Sequence, residues 1–239
     1  MPTSVSTDDE VALTPAEVFK PSASRSQSNA GGPHLPTYAA LKNLLEPGIA
    51  LVLLVPATPV ILFLAALVKL TDRAAPFYSQ ERVGQHGQLY RIFKIRTMIP
   101  NCEHDTGPVW SMPGDPRVTR LGRFLRLTHL DELPQLRNIL RGEMSLIGPR
   151  PERPELIRQL EIAVPGYRER LSVRPGLTGL AQVRLQADTS IEHVKRKLKY
   201  DRYYVRRISL GLDLRICFAT FVYLIGVSKR AVRELFSHE

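Results

Sequence analysis

Hydrophobic and polar positions follow one another very differently along this chain. Up to about Pro36 there is no sustained apolar period, and Ser, Thr, Ala, Pro and Gly dominate, so residues 1–36 read as a disordered tail. From Ile49 to Val68 the pattern turns solid: IALVLLVPATPVILFLAALV is twenty residues without a charge. That length reaches across a hydrocarbon core as a helix and exceeds what a soluble helix needs. Pro56 and Pro59 each lack an amide hydrogen and crowd the preceding turn, which predicts a bend there, with Thr58 as a partner for freed carbonyls. The segment then either crosses with a kink or enters and returns on one face. Each arm of a broken helix spans only about two to three turns, too short to cross alone. Residues 37–74 are accordingly read as a membrane-inserted, proline-broken helix with its flanks.

Beyond the run the periods change. FYSQERV and LYRIFKI flank Gly84 and Gly87 and predict a β-hairpin, with Leu89, Arg91, Phe93 and Ile95 sharing one strand face. Residues 101–116 carry Gly107, Pro108, Pro113 and Gly114 and read as an irregular loop. Arg117 to Arg141 is mostly helical in pattern, with a helix start marked by Pro134 and a stop at Gly142. Ile191 to Arg206 predicts a strongly basic helix, and Ile216 to Val227 a second apolar run too short to cross. Taken on pattern alone, the fold is mixed and mainly helical.

Charge sharpens the picture. The net charge is +10, yet residues 1–68 carry −2 and the remainder +12. The basic part follows the apolar run and suits anionic partners: phosphorylated substrates, an anionic membrane face or nucleic acid. Lys69, Arg73, Arg82 and Arg91 lie after the run, against one Lys42 before it, which places the later side in the cytoplasm. Two cysteines, Cys102 and Cys217, give neither a disulfide scaffold nor a structural zinc site.

The chemistry concentrates in one stretch, TRLGRFLRLTHLDELPQLRNILRGEMSLIGPRPE. Two adjacent acids, Asp131 and Glu132, sit among Arg117, Arg120, Arg123 and Arg126 before them and Arg137, Arg141 and Arg150 after. At a helix start the acids gain from free amides and can serve simply as caps. Guanidiniums beside carboxylates also suit a diphosphate and its metal ion, and an aspartate can itself attack phosphorus. No nucleotide-binding glycine loop, dinucleotide fingerprint, G-x-S-x-G or H-E-x-x-H occurs. RPGLTG, Arg174 to Gly179, is a phosphate-binding or backbone-positioning loop. KRKLKYDRYYVRR, Lys195 to Arg207, mixes bases with aromatics as nucleic-acid and headgroup binders both do.

The stretches APFYSQERVGQHGQLYRIFKIRTM, DPRVTRLGRFLR, LDELPQLRNILRGEMSLIGPRPE, VRPGLTGLAQV and KYDRYYVRRISLGLDLRI resemble the bacterial sugar transferase family of monotopic phosphoglycosyl transferases. The likeness covers roughly Leu41 to Val227 and is to the small, catalytic-domain form. It implies an α+β fold, a mostly helical membrane-associated domain with a small β-hairpin and a re-entrant membrane helix broken at Pro56, Thr58 and Pro59. Residues 75–228 would be the catalytic domain and 229–239 a C-terminal tail. The implied reaction moves a sugar-1-phosphate from a UDP-sugar to polyprenyl phosphate, such as undecaprenyl phosphate, and releases UMP. Asp131 would be the nucleophile and a ligand to Mg2+, with Glu132 assisting. Lys94, Arg96, Arg120, Arg150 and Arg174 would bind phosphate or nucleotide. Membrane lipids are further partners, a homo-oligomer is compatible, and nucleic acid is not expected. Localisation would be the bacterial cytoplasmic membrane, with the catalytic domain on the cytoplasmic face. In this family a basic pair and an Asp commonly precede the apolar segment, where this chain has Lys42, Asn43 and Glu46. The competing class is a membrane-tethered protein that binds anionic lipid or nucleic acid without catalysis; it accounts for the charge but not for the acid pair. A third is an inactive scaffold with this fold.

Overall fold

The apolar run becomes the middle of one long helix, α1 (Thr37–Asp72), which at 1.5 Å per residue is roughly 54 Å long. The computed structural model describes residues 37–102, 112, 114–185 and 191–224; the two tails expected from the sequence, and most of the 101–116 loop, lie outside them. Pro47, Pro56 and Pro59 sit inside α1 without ending it. The helix thus continues on both sides of Pro56–Pro59, where a break is expected from the sequence, with the ladder bonds of the two prolines missing. The Thr58 hydroxyl donates to Leu54 O at 2.7 Å, not to the carbonyls the prolines free. At Pro47 the freed carbonyl does find a partner: Arg174 Nη1 donates to Asn43 O at 3.3 Å.

The inner stripe of α1 packs along the rest of the molecule from end to end. Ala39 joins a cluster with Tyr204, Leu212 and Ile216; Ala50, Ala57 and Ile61 meet Tyr90, Ile92, Leu136, Ile139 and Met144; Leu64 and Val68 meet Ile95 and Leu125. Its other face leaves Leu44, Val52, Val55, Leu62, Phe63 and Leu70 exposed. It is the one helix among the described residues long and apolar enough to cross a membrane.

The hairpin forms as expected from β1 (Phe77–Val83) and β2 (Leu89–Ile95), antiparallel with Phe77 opposite Ile95 and Val83 opposite Leu89. Its connection turns through left-handed backbone at His86 and Gly87, φ 55° and 84°. The core takes Tyr90 and Ile92 from β2, while Leu89 and Arg91 stay exposed. The period of two carries that inward face on to Lys94. The amide of Asn138, fully buried, accepts from Phe93 N at 3.4 Å and donates to Arg91 O at 2.7 Å, so a side chain covers the free edge of β2.

The mostly helical stretch Arg117–Arg141 is three pieces. Thr119 caps α2 (Arg120–Thr128) by accepting from Gly122 N at 2.9 Å. His129, at φ 55°, ends it in the left-handed conformation, and a 3-10 turn (Leu130–Gln135) leads into α3 (Leu136–Leu140). Pro134 falls inside that turn, just before α3. β3 (Ser145–Ile147) then pairs in parallel with β4 (Gly176–Thr178), after α4 (Pro154–Ala163) has crossed between them. The two strands meet through bare backbone: a Cβ on Gly176 would lie 2.0 Å from Gly148 N, and one on Gly179 2.1 Å from Gly148 O. The RPGLTG stretch is thus built for backbone packing. α5 (Leu180–Arg184), α6 (Ile191–Arg207) and α7 (Leu210–Leu224) complete a mostly helical fold with one small hairpin.

Candidate active site

The left-handed turn at His129 decides where the acid pair stands. It stops α2 and starts the 3-10 turn, so Asp131 and Glu132 enter the interior in its first turn, 6% and 7% exposed. Two buried adjacent carboxylates repel each other and lose water, which is tolerable only if cations meet them. Lys94, delivered by the inward face of β2, donates to Glu132 Oε1 at 2.6 Å. Arg150, from the segment after β3, donates Nη2 to the same oxygen at 3.0 Å.

The two acids therefore differ in kind. Burial alone would raise the Glu132 carboxyl, but the ammonium of Lys94 and the guanidinium of Arg150 outweigh it and hold Glu132 well below the ordinary carboxylate range. Asp131 accepts no hydrogen bond from any described residue. Burial pushes its carboxyl up to about 6, with Glu132 adding to the rise and Lys94, Arg126 and Arg150 opposing it. Asp131 is thus a buried carboxylate in the field of three cations, with no hydrogen bond from a described residue.

Arg126, another member of the arginine band, stands outside the set expected to bind phosphate. It lies on the last turn of α2, with Nε donating to Thr97 Oγ1 at 2.8 Å, and its charge acts on Asp131. Arg120 is exposed at the first residue of α2. Arg96 follows β2, its backbone N–H on Pro76 O at 2.8 Å, and its buried Nε and Nη2 have no hydrogen-bond partner among the described residues. Arg174 lies against α1, not at the acid pair. Pro56, Thr58 and Pro59 occupy the middle of α1, around the buried Ala57.

Two further networks hold the site's supports. Lys42 spends all three ammonium protons, on Ile147 O at 2.7 Å, Tyr204 Oη at 2.7 Å and Asp213 Oδ2 at 2.6 Å. Glu46 Oε1 accepts from Ser145 Oγ at 2.8 Å and from Leu146 N at 3.0 Å. Together they tie the first turns of α1 to β3, α6 and α7. α6 presents Lys197, Asp201 and Tyr204 inward at helical spacing. Lys197 donates to Glu152 Oε1 at 2.7 Å and Asp201 pairs with Arg170 at 2.9 Å. The basic, aromatic character of α6 had pointed to a surface role; its inner face is a charged stripe that braces the active-site segments.

A cluster of cations around a buried acid pair is thus carried on a domain with a long apolar helix. The bacterial sugar transferase family model matches residues 37–226, and the chain belongs to that family. It is 38% identical over 185 residues to a UDP-N-acetylgalactosamine-undecaprenyl-phosphate N-acetylgalactosaminephosphotransferase of Aeromonas hydrophila, covering 77% of this chain and 44% of the relative. It is 37% identical over 186 residues to a UDP-glucose:undecaprenyl-phosphate glucose-1-phosphate transferase of Klebsiella pneumoniae, covering 77% and 39%. A protein described in the same words from Caulobacter vibrioides is 40% identical over 201 residues, covering 82% and 74%. The matched region spans less than half the length of the first two relatives.

Proposed function

We propose that this protein transfers a sugar-1-phosphate from a UDP-sugar to polyprenyl phosphate, giving polyprenyl-diphosphate-sugar and UMP and priming the synthesis of a surface glycan. The observation that carries the reading is the division of labour within the acid pair. Glu132 is neutralised by Lys94 and Arg150, whereas the buried Asp131 beside it accepts no hydrogen bond from a described residue. Above its raised pKa, Asp131 is an anion with little solvation to shed, which favours attack on phosphorus.

One carboxylate oxygen of Asp131 attacks the sugar-bearing phosphorus. The bond from that phosphorus to the bridging oxygen breaks, and UMP leaves with the electron pair. An oxygen of polyprenyl phosphate then attacks the phosphorus of the acyl phosphate and returns Asp131 as a carboxylate. Lys94, Arg126 and Arg150, whose charges act on Asp131, would offset the charge that gathers on the equatorial phosphate oxygens. Glu132, held ionised and bound, is a poor proton acceptor; it fixes Lys94 and Arg150 in place.

The residues fit a magnesium ion only in a particular way. Among the described residues no three ligating side chains cluster. One open carboxylate, Asp131, remains, and Mg2+ is commonly held by one or two carboxylates with substrate phosphates and water. Asp131 would share such an ion, whose chemistry is to neutralise charge on the diphosphate.

For the membrane we infer re-entry from the cytoplasmic face. The first turns of α1, its middle and its last turns all pack on the same body, while its outer face is exposed and apolar. Cysteines at Gly48 and Thr71 test this. Gly48 has open space around its Cβ position, and Thr71 is exposed. Labelling of both from the cytoplasm supports re-entry, and labelling from opposite sides overturns it.

The functional test is UMP release in nanodiscs from a panel of UDP-sugars with undecaprenyl phosphate, with and without magnesium, for the wild type and Asp131→Asn. Sugar-selective release lost in the variant supports the reading and names the donor; unchanged release from Asp131→Asn overturns it.

A further inference from the structure

Arg150 reaches Glu132 from a stretch of chain that is gripped from behind. Gly148 N donates to Thr178 O at 2.9 Å and Gly176 N to Pro149 O at 2.9 Å, which fixes the backbone up to Pro149. Past that point the hold passes to side chains. The carbonyl of Arg150 itself accepts from Arg170 Nη2 at 2.6 Å, and that of Pro151 from Arg82 Nη1 at 3.4 Å. Arg170 is 2% exposed, and its fork points three ways. Nη1 donates to Tyr167 Oη at 2.6 Å, and Nε lies 2.9 Å from Asp201 Oδ2 on α6, an ion pair held by charge without hydrogen-bond geometry.

A buried guanidinium–carboxylate pair adds little stability over apolar side chains of the same volume, because both ions lose their water. What this one supplies is direction. A planar fork anchored at two ends leaves its third arm one position to occupy, and that position is the Arg150 carbonyl. On the other side of the same residue, the Arg150 guanidinium meets Glu132 next to Asp131.

We propose that Arg170 is a positioning residue for phosphoryl transfer: anchored by Tyr167 and Asp201, it fixes the Arg150 backbone and so sets where the Arg150 guanidinium stands beside Asp131. This rests on the function proposed above. It accounts for a charged core beneath α6 that touches none of the reacting groups.

The test uses the full chain in nanodiscs, with folding checked by circular dichroism. Arg170→Gln is expected to lower kcat by about a hundredfold, the scale of a misplacement of one ångström, with a smaller effect on KM. Arg170→Lys, which keeps the charge but can grip only some of the three partners, recovers part of that loss. Tyr167→Phe removes one anchor without exposing a buried charge, and guards against an Arg170→Gln that does not fold. In an Arg150→Ala background each of these changes is expected to cost nothing further, because Arg170 acts through Arg150. Additive losses there overturn the proposal. A readout independent of turnover is the Arg150–Glu132 coupling in thermal unfolding, from a cycle of Arg150→Ala and Glu132→Gln. It is expected to shrink in Arg170→Lys, and a coupling that survives unchanged overturns the proposal. A wild type that releases no UMP would refute the functional reading alone, with the unfolding cycle still deciding whether Arg170 holds Arg150 in place.

Discussion

Replacing the proposed nucleophile should make the protein more stable as well as inactive. Asp131 is 6% exposed and its carboxyl is pushed from 3.8 up to about 6, chiefly by burial. A carboxyl whose folded pKa exceeds its unfolded value costs stability when ionised. That cost is full above the folded value and falls away as pH drops from there toward the unfolded one. A rise of roughly two units at 1.36 kcal/mol each gives about 3 kcal/mol at pH 8, and about half of that at pH 5. Asp131→Asn removes the ionisation and nearly keeps the shape. At about 2–4 °C per kcal/mol for a chain of this size, its Tm should exceed the wild type's by roughly 6–12 °C at pH 8. The assay is thermal unfolding of both proteins in magnesium-free detergent across pH 5 to 8. Because an amide differs slightly from a carboxylate in its contacts, the narrowing of the gap with falling pH is the decisive signal. A gap that stays constant, or an Asn variant less stable than wild type at pH 8, refutes the reasoning.

The same group should govern the acid side of the pH–rate profile. UMP release is expected to rise with pH through about 6 and then level off, since Asp131 must be ionised to attack; a limb near 4, the ordinary carboxylate range, contradicts this. Lys42→Met strands Asp213 and Glu46 in a buried site and should cost about 3–5 kcal/mol in unfolding experiments. Adding Asp213→Leu should recover part of that cost, and a double variant worse than either single one would count against the pairing. Gly176→Ala drives a Cβ to within 2.0 Å of rigid backbone at Gly148 and should cost at least about 1–3 kcal/mol; a neutral change would show that the strands can part freely.

Much of this was legible before any coordinates, because it depends on local pattern. Twenty uncharged residues in a row need no tertiary information, nor do two short strands around Gly84 and Gly87. The acid pair and Arg150 stood out by residue type, and Lys94 through the family resemblance. What escaped depends on contacts between distant segments. The charge of Arg126 acts on Asp131 because α2 stops at a left-handed His129, which a three-residue arginine spacing does not reveal. Which residues of β2 are buried is decided by α1 and α3, which take Tyr90 and Ile92 into one cluster, while Ile95 packs into another. The parallel pairing of β3 with β4 joins Ser145 to Gly176, and no turn signal marks it. Lys42 and Glu46 looked like departures from the family pattern, yet they anchor α1 to partners as far along the chain as Asp213. The inward charges of α6 were hidden by its outward ones.

The most direct test of the central claim is to look for the phosphosugar on the enzyme. Purified protein is incubated with its UDP-sugar and no lipid acceptor, and its intact mass and proteolytic peptides are measured. The account predicts a mass gain of one phosphosugar on the peptide carrying Asp131, absent in Asp131→Asn and discharged on adding polyprenyl phosphate. UMP release that proceeds only with acceptor present and leaves no adduct, or an adduct on another residue, would contradict it.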